Sequence, residues 1–302
     1  MPFLGRQPTP VPLTSSDITD GIIGNTKLDL SANYTFTGTV TSKNGKQIGG
    51  LIISNDGTDA DHDLVIAPGV ARDYSDSATI ELTSSITKKI DASWSVGTNQ
   101  GGLDTGTVGS LNLYGIYLIR RSDTGVVDVL ISLDTTPNLA TGTKPTNYDQ
   151  WRLIGVCWST ASSNISPMLQ TGDVFEKLDF VHDVSDTSIT NLTFETATIR
   201  CPSLCEARLQ GRAINGTGSG GYGRTLDVRT KGSIKTADEE FAIIGFNGSG
   251  STSGVHADAQ HGLLTVLVNA DKQIEYCARE HNGDTTVKLG VLSVNMLTRS
   301  NP

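Results

Sequence analysis

No apolar run in the 302 residues is long enough to cross a bilayer as a helix, so membrane insertion is not expected. Met1-Pro2-Phe3-Leu4-Gly5-Arg6 lacks the apolar centre of a secretory leader. The expectation is therefore a chain that folds in the cytosol and is not exported by the usual route. Charge is also scarce, at 18% of residues. The basic side chains are mostly scattered singly, with short pairs at Lys88-Lys89 and Arg120-Arg121, and the net charge is −9. A nucleic-acid surface needs clustered Lys and Arg, so DNA and RNA are not expected partners.

Catalytic signatures are missing too. There is no G-x-S-x-G elbow and no H-E-x-x-H pair. Gly218-x-Gly220 leads into a strand-like segment, whereas a phosphate loop opens a helix and ends in Lys-Ser or Lys-Thr. The regular rungs of a depolymerising β-helix are absent. The chain is read as a non-enzyme, with no catalytic, cofactor-binding or metal residues assigned. Cysteine is sparse, at four residues. Cys201-x-x-x-Cys205 has no second Cys or His pair at zinc spacing, and the compartment argues against disulfides. Cys157, Cys201, Cys205 and Cys277 are expected as buried or free thiols. A Cys201–Cys205 bridge formed outside the cell, or a metal, stands as the alternative.

What fills the chain instead is Gly, Ser, Thr and Asn around short period-two apolar segments, the composition of a turn-rich β protein. Pro2, Pro8, Pro10 and Pro12 make residues 1–20 an unlikely helix, and 1–48 reads as an extended arm whose Leu28-x-Leu30 and Tyr34-x-Phe36 pairs need a neighbour to pack on. Residues 49–160 carry clear strands: Leu51-Ile52-Ile53, Leu64-Val65-Ile66 and Thr79 to Leu82. Ile86 to Trp94 fits a strand or a helical turn. Leu111-x-Leu113 leads into Tyr114, Ile116 and Leu118, apolar on both faces, as in a central strand. Ser122-Asp123-Thr124-Gly125 then turns it into the alternating Val127, Val129, Ile131 and Leu133. Small polar residues at 159–172 suggest a linker. Residues 161–302 repeat the style, with Asn282-Gly283 as a hairpin signal. The expected fold is all-β: two antiparallel β-sandwich, jelly-roll-like domains (49–160 and 161–302) after the arm.

Three places invite chemistry. Asp59, Asp61 and Asp63 have D-x-D-x-D spacing that suits calcium, but Leu64 stands where an EF-hand loop needs glycine, so a solvated turn is favoured. His256, Asp258 and His261 cluster without a zincin spacing. Tyr222 and Trp158 are aromatics that can stack on sugars. Trp94, Tyr114, Tyr117, Trp151 and Trp158 are expected in the core and Tyr222 at the surface.

Asp17-Ile18-Thr19-Asp20-Gly21-Ile22-Ile23-Gly24-Asn25 and Asn33-Tyr34-Thr35-Phe36 resemble the N-terminal segments of tailed-phage fibre proteins. The ordered set that follows is similar to a module of phage tail-fibre and structural proteins. It runs through Ser54 to Asp59, Arg72-Asp73, Trp94-x-Val96-Gly97 to Asp104, Gly125 to Leu130 and Arg152-Leu153-Ile154-Gly155. The resemblance covers about 17–160. It implies a virion structural protein made in a bacterial host, anchored to tail or baseplate proteins through residues 1–40. It also implies a homotrimer, and a variable C-terminal half (161–302) whose loops meet a glycan or protein receptor on the host surface. No coiled-coil or triple-stranded fibre signature accompanies it, which favours a compact attachment protein. Capsid decoration, a head fibre or a baseplate component without receptor role are the alternatives, followed by a surface glycosidase.

Overall fold

The computed structural model describes residues 48–187, 193–215, 224–234, 243–246, 261–279 and 285–296. By its contacts the chain divides into Met1–Lys43 and Asn44–Pro302. The expected arm thus lies outside the described residues except at its last position, and everything below concerns the second unit. Every regular element described there is a strand, so the class is all-β, built on mainly antiparallel sheets.

The first half centres on β8 (Leu113–Arg120), in which seven of eight residues are buried. It pairs with β9 (Val127–Ser132) on one side and β10 (Gln150–Trp158) on the other. The β8–β9 hairpin closes where the turn residues stand, with Gly125 in the left-handed region at φ 75° and Gly125 N donating to Arg121 O at 2.9 Å. The sheet continues through β7 (Gln100–Leu103), β6 (Ile86–Ser93), β3 (Asp63–Ile66) and β2 (Ile53–Asn55) to seven strands. A second, three-stranded sheet of β1 (Ile48–Gly50), β4 (Gly69–Arg72) and β5 (Thr79–Leu82) packs over β8, β9 and β10. Residues 86–93 are thus a strand, not a helical turn.

One departure from the antiparallel expectation lies at β7, which pairs in parallel with both β6 and β9. Glycine makes this possible. A Cβ on Gly101 would collide with the Ser93 carbonyl oxygen, and one on Gly102 would lie 2.9 Å from Ile131 Cδ1.

The second half is a sandwich of two sheets. One has the order β11 (Met168–Thr171), β12 (Val174–Lys177), β20 (Thr285–Asn295), β15 (Glu206–Asn215), β18 (His261–Leu267), with β13 (Val184–Asp186) also on β20. The other has the order β14 (Glu195–Thr198), β19 (Gln273–Arg279), β16 (Arg224–Thr230), β17 (Ile243–Phe246). Alternation buries Leu264 and Val266 and leaves Leu263 and Leu267 outside, as a half-buried strand requires. β19 and β20 lie in different sheets, and the expected hairpin turn at Asn282-Gly283 is outside the described residues.

The expected linker at 159–172 is bonded on both sides. Ile165 N donates to Asp61 O at 2.7 Å, Met168 N to Asn55 Oδ1 at 3.1 Å, and Ile53 N to Gln170 Oε1 at 2.8 Å. Two of its backbone donors, Ile165 N and Met168 N, are satisfied by the first half, and both residues are buried. A continuous cluster of buried apolar side chains runs from Leu51 to Met296.

Candidate functional site

The acidic loop is occupied with its own backbone. Asp56 Oδ1 accepts from Thr58 N at 2.7 Å and Asp59 N at 3.1 Å, which holds its carboxyl below the ordinary range. Asp59 Oδ1 contacts His62 Nδ1 at 3.0 Å, and that bond raises the imidazole. Asp63 is buried, and desolvation pushes its carboxyl up. Asn55 ties the loop down, its Nδ2 donating to Ala60 O at 2.9 Å and Ser166 O at 3.4 Å. Asp59, Asp61 and Asp63 do not converge. Among the described residues no three His, Cys, Asp or Glu side chains are grouped to hold a metal ion.

Other positions singled out in the sequence divide into core residues and residues beyond description. Trp158, Tyr114 and Tyr117 are fully buried. The Trp158 indole donates to Arg200 O at 2.9 Å, so this ring is closed to sugars. Trp94 and Trp151 are half-buried rather than core. Cys157, Cys201, Cys205 and Cys277 are all buried free thiols. Gly218, Gly220, Tyr222, His256 and Asp258 lie outside the described residues; His261 opens β18, with its side chain outside the description.

The Trp94–Asp104 stretch wraps a charged pair. Lys88 and Asp128 are each 0% exposed, with Nζ 3.0 Å from Oδ1. Lys88 Nζ also donates to Ser95 O at 2.6 Å and Gly97 O at 3.2 Å. Asp128 accepts from Gly97 N at 2.7 Å and Val129 N at 2.6 Å. Trp94 closes the site, its ring 5.5 Å from the ammonium and its indole N–H on Val129 O at 3.0 Å. Burial lowers the Lys88 amine, and Asp128 opposes that. Three acceptors saturate the three ammonium protons, so Lys88 is a strut and offers no nucleophile.

Asp134 has the same character. Burial raises its carboxyl, but donation from Thr136, Thr141 and Gly142 outweighs burial and holds it below its ordinary range. Asp73 is treated alike by Ser75, Ser77 and Ala78 N. These carboxylates fix loops.

One patch of the surface joins the exposed Tyr74 to the half-buried Trp151. Asp73 rigidifies the 73–78 turn, and Tyr74 N donates to Trp151 O at 2.7 Å on β10. This sets Tyr74 beside Trp151 with near-parallel rings, centroids 6.3 Å apart and 10° between planes. Lys144 Nζ lies 4.3 Å from the Trp151 ring centroid. Tyr74 is 40% exposed. Arg72 backs the turn, bonding Asp76 Oδ1 at 2.9 Å and Thr79 Oγ1 at 2.8 Å. Parallel rings with a cation and a carboxylate nearby can stack on a sugar face and bond its hydroxyls. Sequence reasoning missed Tyr74. Its signal is an aromatic within the polar run Arg72-Asp73-Tyr74-Ser75-Asp76-Ser77, a place where no core strand can run. Compared with protein-family models the chain matches none, and compared with curated proteins it likewise matches none.

Proposed function

We propose that this chain is a structural protein of a tailed-phage virion, part of the tail-fibre or receptor-binding apparatus, and that it binds rather than converts its ligand. The observation that carries this reading is the pairing of a rigid sheet scaffold with an outward aromatic and cationic platform, Tyr74, Trp151 and Lys144. Lys88, Asp128, Asp73 and Asp134 are committed to bonds that hold loops. The resemblance across 17–160 supports the same role, because Arg72-Asp73, Gly97 to Asp104 and Arg152 stand at these load points. In this reading residues 1–40 dock onto tail or baseplate proteins and three copies assemble. The resemblance assigns host contact to the segments between β15, β16, β17 and β18, to which the platform of the first half adds a sugar-stacking surface, and repeated weak contacts sum to useful avidity.

The test is competition. Purified full chain, added before phage, is expected to lower adsorption to host cells in a dose-dependent way. Undiminished adsorption at saturating protein contradicts the receptor role and favours a decoration or baseplate component. Release of reducing sugar from host polysaccharide by the same protein contradicts the non-enzymatic reading.

A further inference from the structure

We propose that the platform of Tyr74, Trp151 and Lys144 selects acidic sugars: it takes a pyranose bearing a carboxylate in preference to the neutral form of the same sugar. This names the ligand class of that surface and rests on the binding role proposed for it. The chain on either side of Lys144 is fixed. Gly142 N donates to Asp134 Oδ2 at 3.2 Å, Thr143 N to Asp104 Oδ2 at 3.1 Å and Tyr148 N to Pro145 O at 3.1 Å. Lys144 itself is exposed, and its ammonium stands over the Trp151 ring, 4.3 Å from the centroid. Trp151 also differs from the other two tryptophans. Trp94 and Trp158 spend their indole N–H groups on the carbonyls of Val129 and Arg200, whereas Trp151 Nε1 has no hydrogen-bond partner. Its indole is not a polar fastener of the fold.

Charge decides the ligand class. The neighbouring cations are spoken for: Arg72 Nε by Asp76 Oδ1 at 2.9 Å and Arg120 Nη1 by Gln150 Oε1 at 2.7 Å, while Arg152 is buried. The neighbouring carboxylates are occupied as well. Asp73 accepts from Ser75, Ser77 and Ala78 N, and Asp149, close to Trp151 in sequence, accepts from Ser122 N at 2.9 Å and from its hydroxyl. Among the described residues no carboxylate, carbonyl or hydroxyl bonds the Lys144 ammonium. A ring face attracts an ammonium but leaves its three donors to a stronger acceptor. A pyranose offers C–H groups on its face and polar groups at its rim. Stacked on the exposed Tyr74, it brings a rim carboxylate toward Lys144, whose flexible four-carbon stem lets the ammonium follow. The charge-assisted bond that results is one the neutral form cannot make. The site is open to water, so the preference is expected to be about fivefold.

The experiment is calorimetric titration of the full chain with trisaccharides of glucuronate, galacturonate and mannuronate, each beside its methyl ester, which keeps the ring and removes the charge. At least one acid is expected to bind about fivefold tighter than its ester at low salt, and the gap is expected to close at about 1 M NaCl. Lys144→Ala is expected to remove the preference and leave ester binding in place, Lys144→Arg to retain the preference, and Tyr74→Ala to weaken acid and ester together. Equal binding of acid and ester overturns acid selection and leaves the sugar-binding role standing. A preference that survives Lys144→Ala, or that grows with salt, overturns it too. Binding of no trisaccharide in the set overturns both this proposal and the platform as a sugar site.

Discussion

The two halves of the described fold are secured differently. In the first, the sheet through β8 is mixed, and β7 is held in its parallel place by Gly101, Gly102 and the buried Lys88–Asp128 pair. In the second, long antiparallel ladders such as β15 on β20 bury alternating apolar side chains. The parallel pairing is thus fastened by a fully buried ion pair, whereas the ladders of the second half rest on alternation with partly exposed pairs such as Arg200–Asp183 and Arg229–Glu275.

The strongest way to break this contrast is Lys88→Ala. It leaves Asp128 buried without its cation and is expected to cost about 3–5 kcal/mol in urea unfolding. Lys88→Met combined with Asp128→Leu should recover most of it, because matched apolar groups replace a desolvated pair. A loss below about 1 kcal/mol for Lys88→Ala would mean that the pair is not a fastener. In the second half, Leu209→Ala on β15 is expected to cost about 3 kcal/mol by cavity formation alone.

Asp134→Ala sharpens the contrast at smaller scale. It strips the acceptor from Thr136, Thr141 and Gly142 and should cost about 2 kcal/mol. Acid makes the same point without mutation. Asp73 and Asp134 sit below their ordinary range, so their stabilisation is full above the unfolded value of about 3.9. It is lost as pH falls through the lower folded values. Hydrogen exchange at about pH 3 should therefore open the 73–78 and 134–142 loops before β15 and β20. Equal opening of both halves would erase the distinction. The smallest effect is Lys144→Ala, expected to change stability by less than about 0.5 kcal/mol while weakening whatever stacks on Trp151.

Much of the strand layout was legible because short apolar segments stand between turn residues. Leu113 to Leu118 and Val127 to Leu133 announce a covered strand and its hairpin partner, and the structure pairs them. Crossovers were not legible. Asn282-Gly283 states that the chain turns but not which sheet receives the next strand, and β19 and β20 part company there. Residues 159–172 looked like a linker because small polar side chains reveal nothing about backbone donors, which here reach Asp61 and Asn55. Of the platform, Trp151 was expected inside and Tyr74 went unremarked. Their pairing depends on the Tyr74 N to Trp151 O bond between a turn and a strand far apart in sequence.

The most direct test of the proposed role is to locate the protein on purified particles with antibody against residues 161–302 in electron micrographs. Label at the tail tip or baseplate is the result this account expects. Label confined to the capsid, or particles that carry none of the protein, would contradict it.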